Sequence, residues 1–152
     1  MSELDVRIVT LAPMRVASGY GFGESPELQA WEKILAFTQN KGIDLGKARF
    51  FGFNNPDPSP GSPNYGYEQW ITTGPEVEPE GEIRMIDFDG GLYAVTRFKG
   101  LEKIGGVWQE LVHWSEDSSY RKGSHQWLEE LLTSLDSPQE EWEFDLYLPI
   151  VE

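Results

Sequence analysis

The 152-residue sequence contains no cysteine. That excludes disulfides, a thiol nucleophile and thiolate metal ligands. Basic residues are scarce: 12 Lys and Arg stand against 26 Asp and Glu, for a formal net charge of −14. Nucleic-acid binding rests on Lys and Arg against phosphate, so no direct binding to DNA or RNA is expected, and an anionic membrane would repel such a surface. No apolar run approaches the ~20 residues that span a bilayer. The opening "MSELDVRIV" has no basic segment followed by an apolar stretch, so no signal peptide is expected and the expected location is cytoplasmic. Histidine is limited to His113 and His125, and neither a metal nor a cofactor is expected. "RKGSHQW" sets Ser124 beside His125 without a nucleophile elbow, which argues against a serine triad.

What is present is a globular composition, 39% hydrophobic and 13% aromatic. The acidic surplus keeps such a chain soluble and attracts cations, small cationic molecules included.

The most informative pattern is an internal repeat. At an offset of 77 residues "VRIVTLAPMRVASGYGFG" (6–23) lies on "IRMIDFDGGLYAVTRFKG" (83–100) without a gap. Arg7 falls on Arg84, Trp31 on Trp108, Ile34 on Leu111 and Phe37 on Trp114. Each copy reads as two strands, a helix and two more strands. The strands are expected at about 5–12, 14–20, 47–55 and 65–73, then at 82–88, 92–99, 125–133 and 141–150. Asp89-Gly90-Gly91 between alternating apolar runs signals a hairpin, with Ala12-Pro13 at the same place in the first copy. The first helix starts at Ser25-Pro26 and stops at Lys41-Gly42, with Leu28, Trp31, Ile34, Leu35 and Phe37 or Thr38 on its apolar face. The second spans about 103–116 around Ile104, Val107, Trp108 and Leu111. In "GYGFGE" (19–24) the glycines do not match a phosphate loop, and Glu24 and Glu27 would repel phosphate; close strand–helix packing accounts for them better. The loop "NNPDPSPGSPN" (54–64), with four prolines, is expected to be irregular.

The predicted architecture is therefore α+β: a tandem β-β-α-β-β repeat over about 4–73 and 81–151, in one domain spanning 1–152. Duplicated halves commonly pack about a pseudo-twofold axis, and a central cleft between them is a natural ligand site. "GYEQWIT" and "HQWLEEL" read as equivalent strands. Each sets a Trp two residues from a Glu, Trp70 with Glu68 and Trp127 with Glu129, and residues two apart on a strand share a face. A carboxylate beside an indole suits an organic cation. "WLEELL" also fits a short helix, with Glu129 and Glu130 as solvated charges.

The chain resembles the GyrI-like small-molecule binding domains, found as effector-binding domains of MerR- and AraC-type regulators and as stand-alone proteins. The resemblance covers nearly the whole chain through "RVASGYGFG", "AWEKILAF", "GGLYAVTRFKG", "GVWQELVHW" and "FDLYLPI". It implies two SHS2-like halves around an aromatic-lined cleft with a glutamate at its floor. That glutamate usually stands in a Phe-Glu-x-Tyr setting, and Leu128-Glu129-Glu130-Leu131 matches it at Glu129 with Leu131 in place of the tyrosine. Tyr147 matches a tyrosine of the last strand. The chain opens on the first strand of the repeat, so no helix-turn-helix is expected.

The resemblance implies a multidrug-type binder of lipophilic, cationic small molecules, with Glu129 for charge pairing and Trp127, Glu68, Trp70, Tyr67 and Tyr147 as further lining residues. Two alternatives come from the same resemblance. One is a hydrolase of cyclopropane-bearing or similar electrophiles, with Glu129 and Tyr147 catalytic. The other is an interaction protein of the kind that inhibits DNA gyrase.

Overall fold

The structure, a computed structural model, describes residues 4–54, 64–133 and 137–152. Residues 55–63, most of the proline-rich loop, lie outside the described residues. The elements are β1 (Val6–Leu11), β2 (Met14–Gly23), α1 (Pro26–Lys41), β3 (Phe50–Asn54), β4 (Tyr65–Thr72), β5 (Arg84–Phe88), β6 (Gly91–Lys99), α2 (Ile104–Asp117), β7 (Arg121–Lys122), β8 (Leu128–Leu131) and β9 (Glu143–Val151). The element order is α+β, β1-β2-α1-β3-β4 and then β5-β6-α2-β8-β9, with the two-residue β7 inserted before β8.

The pairing of the strands departs from the two local hairpins. β1 pairs with β6, and β5 pairs with β2, both antiparallel. Two compact units result, 13–89 and a second made of 1–12 with 90–152. Each unit thus takes one edge strand from the opposite sequence copy. The turn chemistry explains why. A two-residue hairpin needs positive φ at its first turn residue or at both, and Ala12-Pro13 supplies no glycine while proline fixes φ near −65°. In the second copy Gly90 does adopt φ 77°, but a side chain there would collide with the carbonyls of Leu11 and Ala12. That glycine serves a close backbone crossing.

In the unit 13–89 the strands run β5-β2-β4-β3 and α1 covers one face. Pro26 opens the helix and Gly42 closes it in the left-handed conformation, its N–H donating to the Thr38 carbonyl. Ser25 sits at the N-cap position without a side-chain cap bond. Ala30, Ile34, Phe37 and Thr38 are buried. Leu28, expected on the buried face, is 62% exposed, because the stripe 26-30-34-38 turns it outward. Gly19 and Gly21 of β2 lie under α1. A Cβ on Gly19 would sit 3.0 Å from the Ala30 carbonyl oxygen, and one on Gly21 would collide with that of Pro26. The glycines of "GYGFGE" are therefore the seat of the helix.

In the other unit the strands run β1-β6-β9-β8, with β7 paired to β9 beyond them. α2 packs on β6 and β9 and buries Leu111 and Ser115. Among the described residues no helix is long and apolar enough to cross a membrane.

Gly21→Ala is expected to lower stability by about 1–3 kcal/mol, because α1 must lift from β2 to admit the methyl group. Thermal unfolding followed by circular dichroism measures it, and a melting temperature equal to the parent's would refute the seat.

Candidate functional site

Strand register sorts side chains onto faces. In the unit 13–89 the face opposite α1 carries Ser18, Tyr20, Phe51, Phe53, Glu68, Trp70, Arg84 and Phe88. Glu68 is 5% exposed. It accepts hydrogen bonds from Ser18 Oγ at 2.8 Å and Trp70 Nε1 at 3.4 Å, and Arg84 lies 3.2 Å away. Trp70 is buried between Phe53 and Phe88, with ring centroids 5.1 and 5.2 Å distant. The acid–indole pair Glu68/Trp70 is thus brought together. Tyr67 is not with them: it lies on the α1 side, its ring across Gly52, where any Cβ would collide with it.

In the other unit the corresponding face carries Glu130, Tyr147, Asp145, Tyr93, Arg97 and Arg7. Tyr147 is buried, and its hydroxyl donates to Glu130 Oε1 at 2.6 Å. Its ring stands edge-on to Tyr93 at 5.4 Å. Tyr93 is fully buried; its hydroxyl donates to the Gln126 carbonyl and its ring meets His125 at 4.9 Å. Burial pushes the Tyr93 phenol well above its ordinary range. Asp145, 3% exposed, is held by Arg97 through Nε at 2.9 Å and Nη2 at 3.1 Å, and by Arg7 at 3.0 Å. That pairing holds the Arg97 guanidinium above its usual pKa.

Glu129 and Tyr147, expected as one pair, lie on opposite faces of the β8–β9 ladder. Glu129 is opposite Leu146, and Tyr147 is opposite Leu128. Glu129 is half-buried on the α2 side and accepts a hydrogen bond from Trp108 Nε1 at 3.1 Å. Trp127, 38% exposed, leans on Trp108 with centroids 5.4 Å apart. The structure therefore groups Glu129 with Trp127 and Trp108, and it gives Tyr147 a carboxyl the sequence reading left as a solvated charge, Glu130.

The 77-residue offset, carried into the later strands, held the missing signal. It places Phe53 on Glu130, Glu68 on Asp145, Trp70 on Tyr147 and Tyr20 on Arg97. β4 thus corresponds to β9 rather than to β8, and the expected equivalence of "GYEQWIT" with "HQWLEEL" does not hold. The ion pair Arg84–Glu68 repeats as Arg7–Asp145. The aromatic contact Phe53–Trp70 is replaced by the hydrogen-bonded pair Glu130–Tyr147.

Among the described residues no group of three His, Asp or Glu side chains is placed to hold a metal ion. The two histidines are apart: His113 is exposed near Glu116 and Asp117, and His125 Nε2 lies 2.7 Å from the Leu92 carbonyl.

Two acid–aromatic faces on an antiparallel scaffold define a class of domain, one that offers buried carboxyls among rings. The sequence profile of the GyrI-like small molecule binding domain matches residues 4–151, and the chain belongs to that family. It is similar in fold to the C-terminal domain of EcmrR, with TM-score 0.76 and 16% identity over 98% of this chain and 98% of that one. A hydrolase from Listeria innocua is similar at TM-score 0.72 and 11% identity, over 99% of this chain and 94% of that one. SAV2435 bound to tetraphenylphosphonium is similar at TM-score 0.60 and 14% identity, over 97% and 94%. No curated protein matches the sequence significantly.

Burial of the neutral Tyr93 phenol makes stability depend on alkaline pH. Its contribution is complete below the ordinary tyrosine pKa of about 10 and is lost as pH rises from there toward the raised folded value. Denaturant midpoints measured across that window are expected to fall in the parent and to fall less in Tyr93→Phe. Equal slopes would show that Tyr93 is not the source.

Proposed function

We propose that the chain binds a lipophilic organic cation on the α2-opposed face of the unit made of 1–12 with 90–152, with Glu130 as the counter-charge. The observation that carries this is the Tyr147–Glu130 hydrogen bond at 2.6 Å, set against the Tyr93 ring. A carboxylate fixed by a phenol keeps one oxygen for a cation, and the ring faces add cation–π attraction. Membership of a small-molecule binding family supports the reading. So does the similarity to SAV2435, whose ligand tetraphenylphosphonium is a lipophilic cation. Glu68, Trp70 and Phe53 form a second, aromatic-rich face, on which Arg84 neutralises the acid. The absence of cysteine supports a cytoplasmic setting.

Glu129 is the competing acid. Isothermal titration with tetraphenylphosphonium separates the two. Glu130→Gln is expected to weaken binding by about tenfold or more, and Glu129→Gln by less than about twofold. The reverse order would move the site to the Trp108–Trp127 side.

A second reading is hydrolytic, favoured by the Glu130–Tyr147 pair and the similarity to the Listeria innocua hydrolase. Glu130 would take a proton from a water molecule as its oxygen adds to an electrophilic carbon, and the phenol of Tyr147 would steady the carboxyl. Mass spectrometry after incubation with cyclopropane-bearing electrophiles is expected to show addition of one water, lost in Glu130→Gln. No adduct in the parent protein would retire this reading and leave binding.

A further inference from the structure

We propose that Arg97, with Arg7, forms an anion-accepting subsite beside Glu130, so that the preferred ligand is amphoteric: an aromatic body with a cationic group at one end and a carboxylate or similar anion at the other. The inference rests on the reading of Glu130 as the ligand's acid and adds a second pole to it.

The strand registers set Glu130 opposite Asp145 and Asp145 opposite Arg97, in one row across β8, β9 and β6. Two strand spacings of about 5 Å separate the ends of this row, so acid and guanidinium lie roughly 10 Å apart on one face. Asp145 is already matched by a single cation, yet two guanidiniums grip it, Arg97 by a bidentate fork and Arg7 by one further contact. The cluster Arg7–Asp145–Arg97 therefore carries one surplus positive charge. The two arginine side chains are 48% and 54% exposed, and each guanidinium has five N–H donors, of which Asp145 engages only part. Farther along the same face Lys99 and Glu143 stand opposite each other and cancel. A ligand that is only a cation satisfies Glu130 and meets the surplus charge as repulsion. An amphoteric ligand about 10 Å long satisfies both ends.

A purely structural role does not account for Arg97. In the unit 13–89 the ion pair Arg84–Glu68 repeats Arg7–Asp145, so one arginine suffices to hold a buried acid at that position. At the offset of 77 residues Arg97 corresponds to Tyr20, and Glu130 corresponds to Phe53. The extra base and the extra acid thus occur together, in one unit and on one face. That joint occurrence marks them as a pair of opposite poles, spaced for a dipolar molecule.

The test compares benzyltriphenylphosphonium with its para-carboxylated analogue by isothermal titration at fixed ionic strength. The parent protein is expected to bind the carboxylated probe about tenfold more tightly. Arg97→Gln is expected to bring the affinity ratio close to one, while Glu130→Gln weakens both probes. Arg97→Lys, which keeps a charge against Asp145 without the fork, is expected to give a reduced ratio and serves if the glutamine variant fails to fold. A parent ratio of one or less overturns the inference and leaves cation binding standing. A ratio unchanged in the Arg97 variants overturns it equally, since it would make Arg97 a structural partner of Asp145. Binding of neither probe by the parent overturns both this inference and the reading beneath it.

Discussion

In each unit a buried carboxylate on an interior strand is held by a guanidinium reaching across one strand from the edge: Asp145 by Arg7, Glu68 by Arg84. Removing a carboxylate from water is costly unless it is paired and hydrogen-bonded. Here the edge strand supplying the arginine comes from the opposite sequence copy, so the fold and the charge balance depend on each other. Were β1 paired with β2 and β5 with β6, each buried acid would lose its edge arginine. The ion pair also fixes which face of each sheet is polar, because a slip of one residue would carry the acid to the helix side. Glycine at positions 19 and 21 completes the arrangement by letting α1 close down on β2.

On that shared framework the two units diverge in a way that bears on chemistry. The unit 13–89 fills its helix-free face with Phe53, Trp70 and Phe88 around a neutralised glutamate. The other unit sets Glu130 where the first has Phe53, and Tyr147 where it has Trp70. A T-shaped ring contact is thereby exchanged for a phenol–carboxyl hydrogen bond. The change converts an apolar wall into one that can hold charge. A GyrI-like domain needs this combination to retain aromatic compounds and to discriminate among them by charge.

Much of this was legible in the residues. The helix bounds of α1 follow from Ser25-Pro26 and Lys41-Gly42, and the glycines of "GYGFGE" announce close packing. The acid–indole pair Glu68/Trp70 follows from spacing alone, since two residues on a strand share a face. Strand partners were not legible. Alternating apolar residues look the same whichever neighbour they pair with, and the Asp-Gly turn signal is equally satisfied by a glycine needed for a backbone crossing. The choice between Glu129 and Glu130 was hidden for a related reason: adjacent acids on a four-residue strand point to opposite faces, and only register decides between them. The offset of 77 residues contained that register. It was read through the helices but not extended to Phe53 and Glu130.

The central claim is that the ligand's positive end lies against Glu130, Tyr147 and Tyr93. Intermolecular nuclear Overhauser effects between tetraphenylphosphonium and assigned ring protons of the protein test it directly. The account predicts contacts to the rings of Tyr147 and Tyr93. Contacts confined to Trp108 and Trp127 would contradict it.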